Sequence, residues 1–291
     1  MDKTVLLSFQ RPGLQTLIMD QGRLGPQELG IPIGGAMDKL SARLVNELVG
    51  NPPSSPVFEI TLMGPKILIT GNCQIALCGA HLSPLLNNRP IPMNETINVE
   101  SGSHISFGKP LRGCRTYLAV GGEWKVPSWH GSYSAFAQAG MELPKGSVIR
   151  KGTEIRIAPT PWIQIRNLAL SQRPNFPECL TVGMMPGPEF DSFGAYTIGH
   201  FLSREHIVSN QSNRMGYRLE SQLANYQAQA EVISSGVVPG TIQITHSGQP
   251  IILMADAQTT GGYLRMGNVV SKDMDQLGQL KPGDRLRFEL L

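Results

Sequence analysis

The residues able to do chemistry in this 291-residue chain gather in a few short runs. The densest is Asp256-Ala257-Gln258-Thr259-Thr260-Gly261-Gly262-Tyr263. It follows Pro250-Ile251-Ile252-Leu253, an apolar run that reads as a buried strand. Its side chains can donate and accept hydrogen bonds, and its glycines let backbone approach a ligand closely. Asp256 could orient water or a neighbouring side chain. Gln258, Thr259, Thr260 and Tyr263 could bond a substrate, and N–H groups near Gly261 and Gly262 could face a developing oxyanion. Taken alone, Thr-Thr-Gly-Gly reads as a polar turn, so its partners elsewhere in the chain matter.

Two other runs supply them. Asn210-Gln211-Ser212-Asn213-Arg214-Met215-Gly216-Tyr217-Arg218-Leu219 is polar and carries two arginines. Arg214 and Arg218 could clamp a carboxylate or phosphate bidentately, or could bond carbonyls or Glu220. The third run extends from Asp20-Gln21-Gly22-Arg23 to Gly34-Gly35-Ala36-Met37-Asp38. It reads as a glycine-rich loop whose N–H groups could cradle an anion, with Arg23 beside it. It delivers the chain to a helix over 37–49, with Asp38 as N-cap and Gly50-Asn51-Pro52 as the stop. Met37, Leu40, Leu44, Val45, Leu48 and Val49 form the apolar face. Asp256, Arg214 and Gln258 are the catalytic candidates. Arg23, Asp20, Gly35, Asp38, Asn213, Arg218, Thr259, Thr260, Gly261, Gly262 and Tyr263 are the substrate-binding ones.

Most of what must position these runs reads as strand. Alternating or apolar segments are expected at 4–9, 14–19, 57–62, 66–70, 74–78, 96–99, 104–107, 116–120 and 154–157. Others fall at 180–185, 206–209, 241–245 and 251–254, with turn residues at short intervals. Asn87-Asn88 suits a hairpin turn, and a short helix is expected at about 190–202. A glycine turn feeding an alternating strand recurs at 101–107, 151–157 and 282–288. This echo suggests two related β-rich halves, 1–160 and 161–291, joined in the proline-bearing stretch 158–177.

Composition narrows the function. With 41% hydrophobic and 16% charged residues the chain can bury a real core. The net charge of +3 is scattered, which argues against nucleic acid as a partner. No apolar run is long enough for a membrane span, and Met1-Asp2-Lys3 opens no signal peptide, so a cytoplasmic location is expected. Cys73, Cys78, Cys114 and Cys179 read as reduced, mostly buried thiols. The six histidines lack metal-ligand spacing, and no metal is assigned. There is no nucleotide-binding phosphate loop, no G-x-S-x-G elbow and no H-E-x-x-H. The Met-Lys-Met tripeptide of biotin attachment is absent, so the chain carries no covalent biotin of its own.

With these runs in order, the sequence resembles the allophanate hydrolase subunit 2 / KipA family. Its members include the C component of the ATP-dependent 5-oxoprolinase and the related carboxyltransferase domain of urea carboxylase. The resemblance rests on Gly13-Leu14-Gln15-Thr16, Asp20-Gln21-Gly22-Arg23-Leu24-Gly25, Gly34-Gly35-Ala36-Met37-Asp38 and Leu48-Val49-Gly50-Asn51. It continues through Tyr117-Leu118-Ala119-Val120-Gly121-Gly122, Gln211–Leu219, Gly248–Met254 and Asp256 with Gln258–Tyr263. Met19, Ala135 in Gly131-Ser132-Tyr133-Ser134-Ala135, Thr245 and Ala257 depart from the usual pattern.

The resemblance implies a mainly β, cyclophilin-like fold of two related antiparallel barrel halves with a few short helices. It implies a subunit 1 / KipI-type partner and a third subunit in a 5-oxoprolinase. It also implies that ATP is used by the complex to open 5-oxo-L-proline to L-glutamate. Two other activities stay open: carboxyl transfer from biotin on another protein, and regulatory binding of a KipI-like kinase inhibitor. The 256–263 run is then expected to line a cleft shared by the halves, near Arg214 and the 20–38 loop.

Overall fold

Alternating burial turns most of this chain into strands. In Val5–Arg11, Val5, Leu7 and Phe9 are buried while Leu6 and Ser8 are half-exposed, the period-2 pattern of a sheet with one inner face. The computed structural model describes residues 4–138, 141–226 and 233–291. Met1-Asp2-Lys3 lies outside them. The expected mainly β class holds: strands dominate, and the helices are few and short.

The chain divides into two compact units. The first takes in residues up to Arg23 together with Gly34–Asn175, and the second Leu24–Ile33 together with Phe176–Leu291. Residues 161–175, expected in the second half, therefore lie with the first. The reason is local bonding. The Gln74 amide pairs with both backbone groups of Ile163 at 2.9 Å, and Thr96 N–H donates to the Arg166 carbonyl at 2.9 Å. Leu168 is buried in the first unit's core.

In the first unit a seven-stranded sheet runs in the order Glu123–Trp124, Glu154–Ala158, Val5–Arg11, Lys66–Thr70, Ser103–Phe107, Pro84–Leu86, Arg89–Pro90. A five-stranded sheet runs Gln15–Met19, Val57–Thr61, Arg112–Val120, Cys73–His81, Ile97–Val99. Phe9, Phe58 and Trp124 pack ring against ring, at 5.1 and 4.5 Å between centroids, within one apolar core. Each fully buried aliphatic or aromatic side chain there contributes about 1.5–3 kcal/mol. Asn87 and Asn88 take positive φ of 51° and 64° and close the expected hairpin, with Leu86 opposite Arg89.

The helix Lys39–Leu48 covers the five-stranded sheet, its Leu44, Val45 and Leu48 packing with Ala76, Cys78, Tyr117 and Ala119. Asp38 caps it by accepting from Ser41 N at 2.8 Å and from Ser41 Oγ at 2.6 Å. Leu40 departs from the expected face: it is 37% exposed, while Ser41 and Asn46 are buried and bonded. Burial pushes the Cys73 thiol up to about 12, so it stays protonated and inert. Cys78 and Cys114 are buried as expected; Cys179 is only partly covered.

The second unit is built on a seven-stranded sheet, in the order His206–Ile207, Arg285–Leu290, Cys179–Pro186, Leu264–Val269, Thr241–Ile244, Pro250–Leu253, Gly216–Arg218, beside a two-stranded ribbon of Ser235–Gly236 and Thr260–Gly261. It is not purely antiparallel. Cys179–Pro186 and Arg285–Leu290 run parallel, which requires the long connection between them. The three echoed turns hold: Gly102, Gly152 and Gly283 all sit at φ near 85° before their strands. The helix expected at 190–202 is two pieces, Phe190–Phe193 and Ala195–Leu202, because Gly194 takes φ 72°, ψ 149° between them.

His206 is buried against Phe201 and Phe288. Its Nε2 lies 2.9 Å from the Phe201 carbonyl and its Nδ1 2.7 Å from Ser221 Oγ, partners that suit a neutral ring donating from Nε2. Burial lowers its pKa from 6.5 to about 4. The unfolded chain therefore binds the extra proton first. The stabilisation is complete above pH 6.5 and is lost as pH falls toward 4, by up to about 3 kcal/mol. Denaturant unfolding at pH 7 and pH 4.5 should show a smaller acid loss for His206→Gln than for wild type. Equal losses would show that His206 does not titrate in this window.

Candidate functional site

The chemistry-bearing run of the second unit is anchored by its backbone. Strand Pro250–Leu253 pairs with Gly216–Arg218, Met254 N–H bonds the Met215 carbonyl at 3.0 Å, and Asp256 N–H bonds the Arg214 carbonyl at 2.9 Å. This ladder sets the Asp256 and Arg214 side chains against each other. Arg214 Nε donates to Asp256 Oδ2 at 2.7 Å and Nη2 to Oδ1 at 2.9 Å. The side chains are 7% and 14% exposed. A bidentate fork in such cover is strong and geometrically specific. The acid and the cation expected to act on a ligand are thus committed to each other at the root of the loop.

Past the fork, Ala257, Gln258, Thr259 and Thr260 form one wall of an open cleft of about 610 Å³. Gly236–Pro239 forms another wall, and Gln27, Glu28, Gly30, Pro32 and Ile33 a third. The first two walls are tied together. Val237 N–H donates to the Thr259 carbonyl at 2.9 Å, and Ser235–Gly236 pairs antiparallel with Thr260–Gly261. Val237, Leu253 and Ala257 make a small apolar cluster beneath. The cleft surface is largely apolar, with amide and hydroxyl groups along one side, the make-up of a small-molecule pocket.

Three residues that the sequence did not single out support this cleft. Arg265 forks onto Glu189, with Nε to Oε2 at 2.9 Å and Nη2 to Oε1 at 2.6 Å, and its Nη1 reaches the Gly236 carbonyl at 3.4 Å. This pairing holds the Glu189 carboxyl below the usual carboxylate range and raises the Arg265 guanidinium. Gln243 is fully buried under Gly261: a Cβ at 261 would lie 2.4 Å from Gln243 Nε2. The first glycine of the Gly261-Gly262 pair is therefore small because an amide fills the space below it. No local motif marks Glu189, Arg265 or Gln243; they meet only through strand register, Gln243 lying opposite Arg265.

The other expected site residues of this unit are dispersed. Arg218 Nη1 lies 3.3 Å from Gln249 Oε1, so Arg214 and Arg218 serve different partners. Asn213 Oδ1 accepts from Met215 N at 2.8 Å and shapes the turn. Tyr263 sets its ring edge-on to His246 at 5.4 Å, and Gly262 continues the chain from the paired strand.

In the first unit, Asp20, Arg23, Gly35 and Asp38 are built into the structure. Asp20 Oδ1 accepts from Gly22 N at 2.8 Å, Ser132 Oγ at 2.7 Å and Ser134 Oγ at 2.5 Å, and Oδ2 from Tyr133 N at 2.7 Å. Arg23 is buried, donates to the Ser134 carbonyl and lies 5.1 Å from the Trp129 ring centroid, a cation–π arrangement. Gly35 (φ 89°) backs onto residues 21–22 so closely that a Cβ would fall 2.8 Å from Gly22 N. Asp38 N–H donates to Tyr117 Oη, which donates to buried Glu59, each at 2.8 Å.

Residues 29–290 match the family described as carboxyltransferase domain, subdomain A and B, and the chain belongs to that family. It is 33% identical over 288 residues to the C component of 5-oxoprolinase from Escherichia coli strain K12, covering 97% of this chain and 90% of that protein. It is 32% identical over 302 residues to the urea amidolyase of Lachancea kluyveri, covering 95% of this chain and 16% of that protein. The crystal structure of the K. lactis urea amidolyase superposes with a TM-score of 0.91 at 31% identity, over 98% of this chain and 19% of that one. Among the described residues no helix is long and apolar enough to cross a membrane, and no cluster of His, Cys, Asp and Glu has metal-binding geometry.

Proposed function

We propose that this chain is one subunit of an ATP-dependent amidohydrolase complex that opens 5-oxo-L-proline to L-glutamate in the cytoplasm. The observation that carries this reading is end-to-end similarity to a 5-oxoprolinase component of nearly its own length. The chemistry asked of the complex is severe, because a lactam carbonyl is a poor electrophile. Transfer of the γ-phosphoryl group of ATP to the lactam oxygen, with ADP leaving, activates the carbon. Water then adds, the C–N bond breaks as nitrogen takes a proton, and a second water releases phosphate from the acyl phosphate. Positioning and donors for the developing oxyanion dominate such a step. Gln258, Thr259 and Thr260 supply neutral donors and acceptors in the second-unit cleft, and the Arg214–Asp256 fork fixes the loop that carries them. ATP is bound by the complex, and the partners are a subunit 1 / KipI-type chain and a third subunit.

The test is reconstitution. The three subunits together should form glutamate from 5-oxo-L-proline only with ATP, and omission of this chain should abolish the activity. Absence of glutamate from the full set would refute the proposal. The carboxyltransferase-domain match favours a second reading, in which the chain accepts carboxyl from biotin on another protein. Carboxylation in the presence of a biotinylated carrier, with no 5-oxoproline turnover, would establish it instead.

A further inference from the structure

The charges around the second-unit cleft are unbalanced for the substrate proposed above. 5-Oxo-L-proline is a carboxylate, and ATP is a polyanion. Both call for cations close to the reacting groups. Yet among the described residues no lysine, arginine or histidine lines the cleft, and the one ionisable lining side chain is Glu28, an acid. The nearby arginines are committed within the chain: Arg214 to Asp256, Arg265 to Glu189. Releasing either would strand a carboxylate in partial burial, which costs more than a weak ligand returns. An anion entering this cleft would meet Glu28 and no unengaged cation among the lining residues.

The rim has a second peculiarity. Leu24–Ile33 is an excursion from the first unit's sequence into the second unit. Its 3-10 turn Pro26–Leu29 presents Glu28 beside Leu29, which is 67% exposed, and Leu24 is 82% exposed. Across the cleft Val238 is 54% exposed. Glu28 makes no ion pair among the described residues. Isolated exposed leucines are ordinary, but two on a ten-residue strap flanking an unpaired, cleft-lining acid form a patch with a definite character.

We propose that the strap Leu24–Ile33 is the docking face for a partner chain that presents a lysine or arginine beside apolar side chains, and that this cation completes the cleft for an anionic substrate. The inference rests on the multi-subunit reading above. The partner's apolar groups cover Leu24 and Leu29, and its cation pairs with Glu28 at the rim until substrate competes for it. The site is thereby incomplete in the isolated chain. This accounts for a cleft shaped for a small molecule and lined by the wrong charge.

The experiment measures binding of the full chain to the subunit 1 / KipI-type protein by calorimetry at 50 and 300 mM salt. Wild type, Glu28→Lys and Leu29→Asp are compared, with thermal melts of each isolated chain as control. The inference expects a wild-type Kd that weakens several-fold with salt, at least a tenfold weaker Kd for each variant at low salt, and unchanged melting. Variants that bind within twofold of wild type, or a wild-type Kd indifferent to salt, would overturn it. Complete failure of the wild-type chain to bind would overturn both this inference and the multi-subunit reading. A complex that binds through the strap but forms no glutamate would leave the inference standing and remove the 5-oxoprolinase reading alone.

Discussion

Asp20→Ala is expected to destabilise the first unit by about 4 kcal/mol, one of the largest effects of any single substitution in this chain. The carboxylate takes four hydrogen bonds, from Gly22 N, Tyr133 N and the hydroxyls of Ser132 and Ser134. The residue is buried, so these donors have no ready access to water. Each donor stranded by the truncation costs about 1–3 kcal/mol, with incomplete additivity. The loss also unties residues 132–134 from the 20–23 turn, and with it the seat of Arg23. Asp20→Asn keeps the volume and part of the acceptor capacity and should cost about half as much. Urea unfolding measures both. A loss below about 1 kcal/mol for the alanine variant, coupled with loss of ligand binding, would return Asp20 to the role of a substrate contact.

The second large effect concerns the Arg214–Asp256 fork. Asp256→Ala should cost about 3 kcal/mol, because it leaves a guanidinium in a nearly closed pocket without its carboxylate. Arg214→Met should cost a similar amount, and the double variant Arg214→Met/Asp256→Leu should recover much of it, giving a coupling energy of about 2 kcal/mol. In the reconstituted complex, the two single variants should lose activity alike, and the double variant should be no worse than either, because both residues act by fixing the 257–260 wall. Independent, multiplicative losses would mean instead that Asp256 and Arg214 each act on the substrate directly.

Much of the fold was legible because it follows local rules. Strands such as Lys66–Thr70 and Glu154–Ala158 alternate cleanly. Asp38 and Gly50 bracket the helix by capping chemistry and a positive φ of 74°. Asn87-Asn88 names its own turn. The misses have a common cause in contacts that are long in sequence. Strand Leu264–Val269 follows directly on Tyr263 with no turn residue between them, and the parallel pairing of Cys179–Pro186 is chosen by a strand a hundred residues away. Residues 161–175 join the first unit through side-chain bonds from Gln74 and Thr96 that no composition shift announces.

The candidate site divides the same way. The proximity of Asp256 to Arg214 is carried by two recognisable runs on neighbouring strands. The glycines and acids of the 20–38 loop looked equally functional, and Asp20, Arg23 and Gly35 prove to be bonding the loop to its own surroundings. A buried carboxylate with four donors and a ligand-binding carboxylate have the same letter in the sequence. Only the donors distinguish them, and these come from residues 132–134.

The position of Arg285–Leu290 between Cys179–Pro186 and His206–Ile207 dictates an order of assembly. During synthesis, the first unit can collapse once its own sheets are complete, but Leu24–Ile33, which precedes most of that unit in the chain, belongs to the second unit. The second sheet cannot close until residues 285–290 have left the ribosome, since both neighbouring strands have only that strand to bridge them. The strap must therefore wait, unseated, at least until residues 236–239 and 257–260, which wall the same cleft, have been made. Chaperone contact during that interval should fall on Leu24 and Leu29.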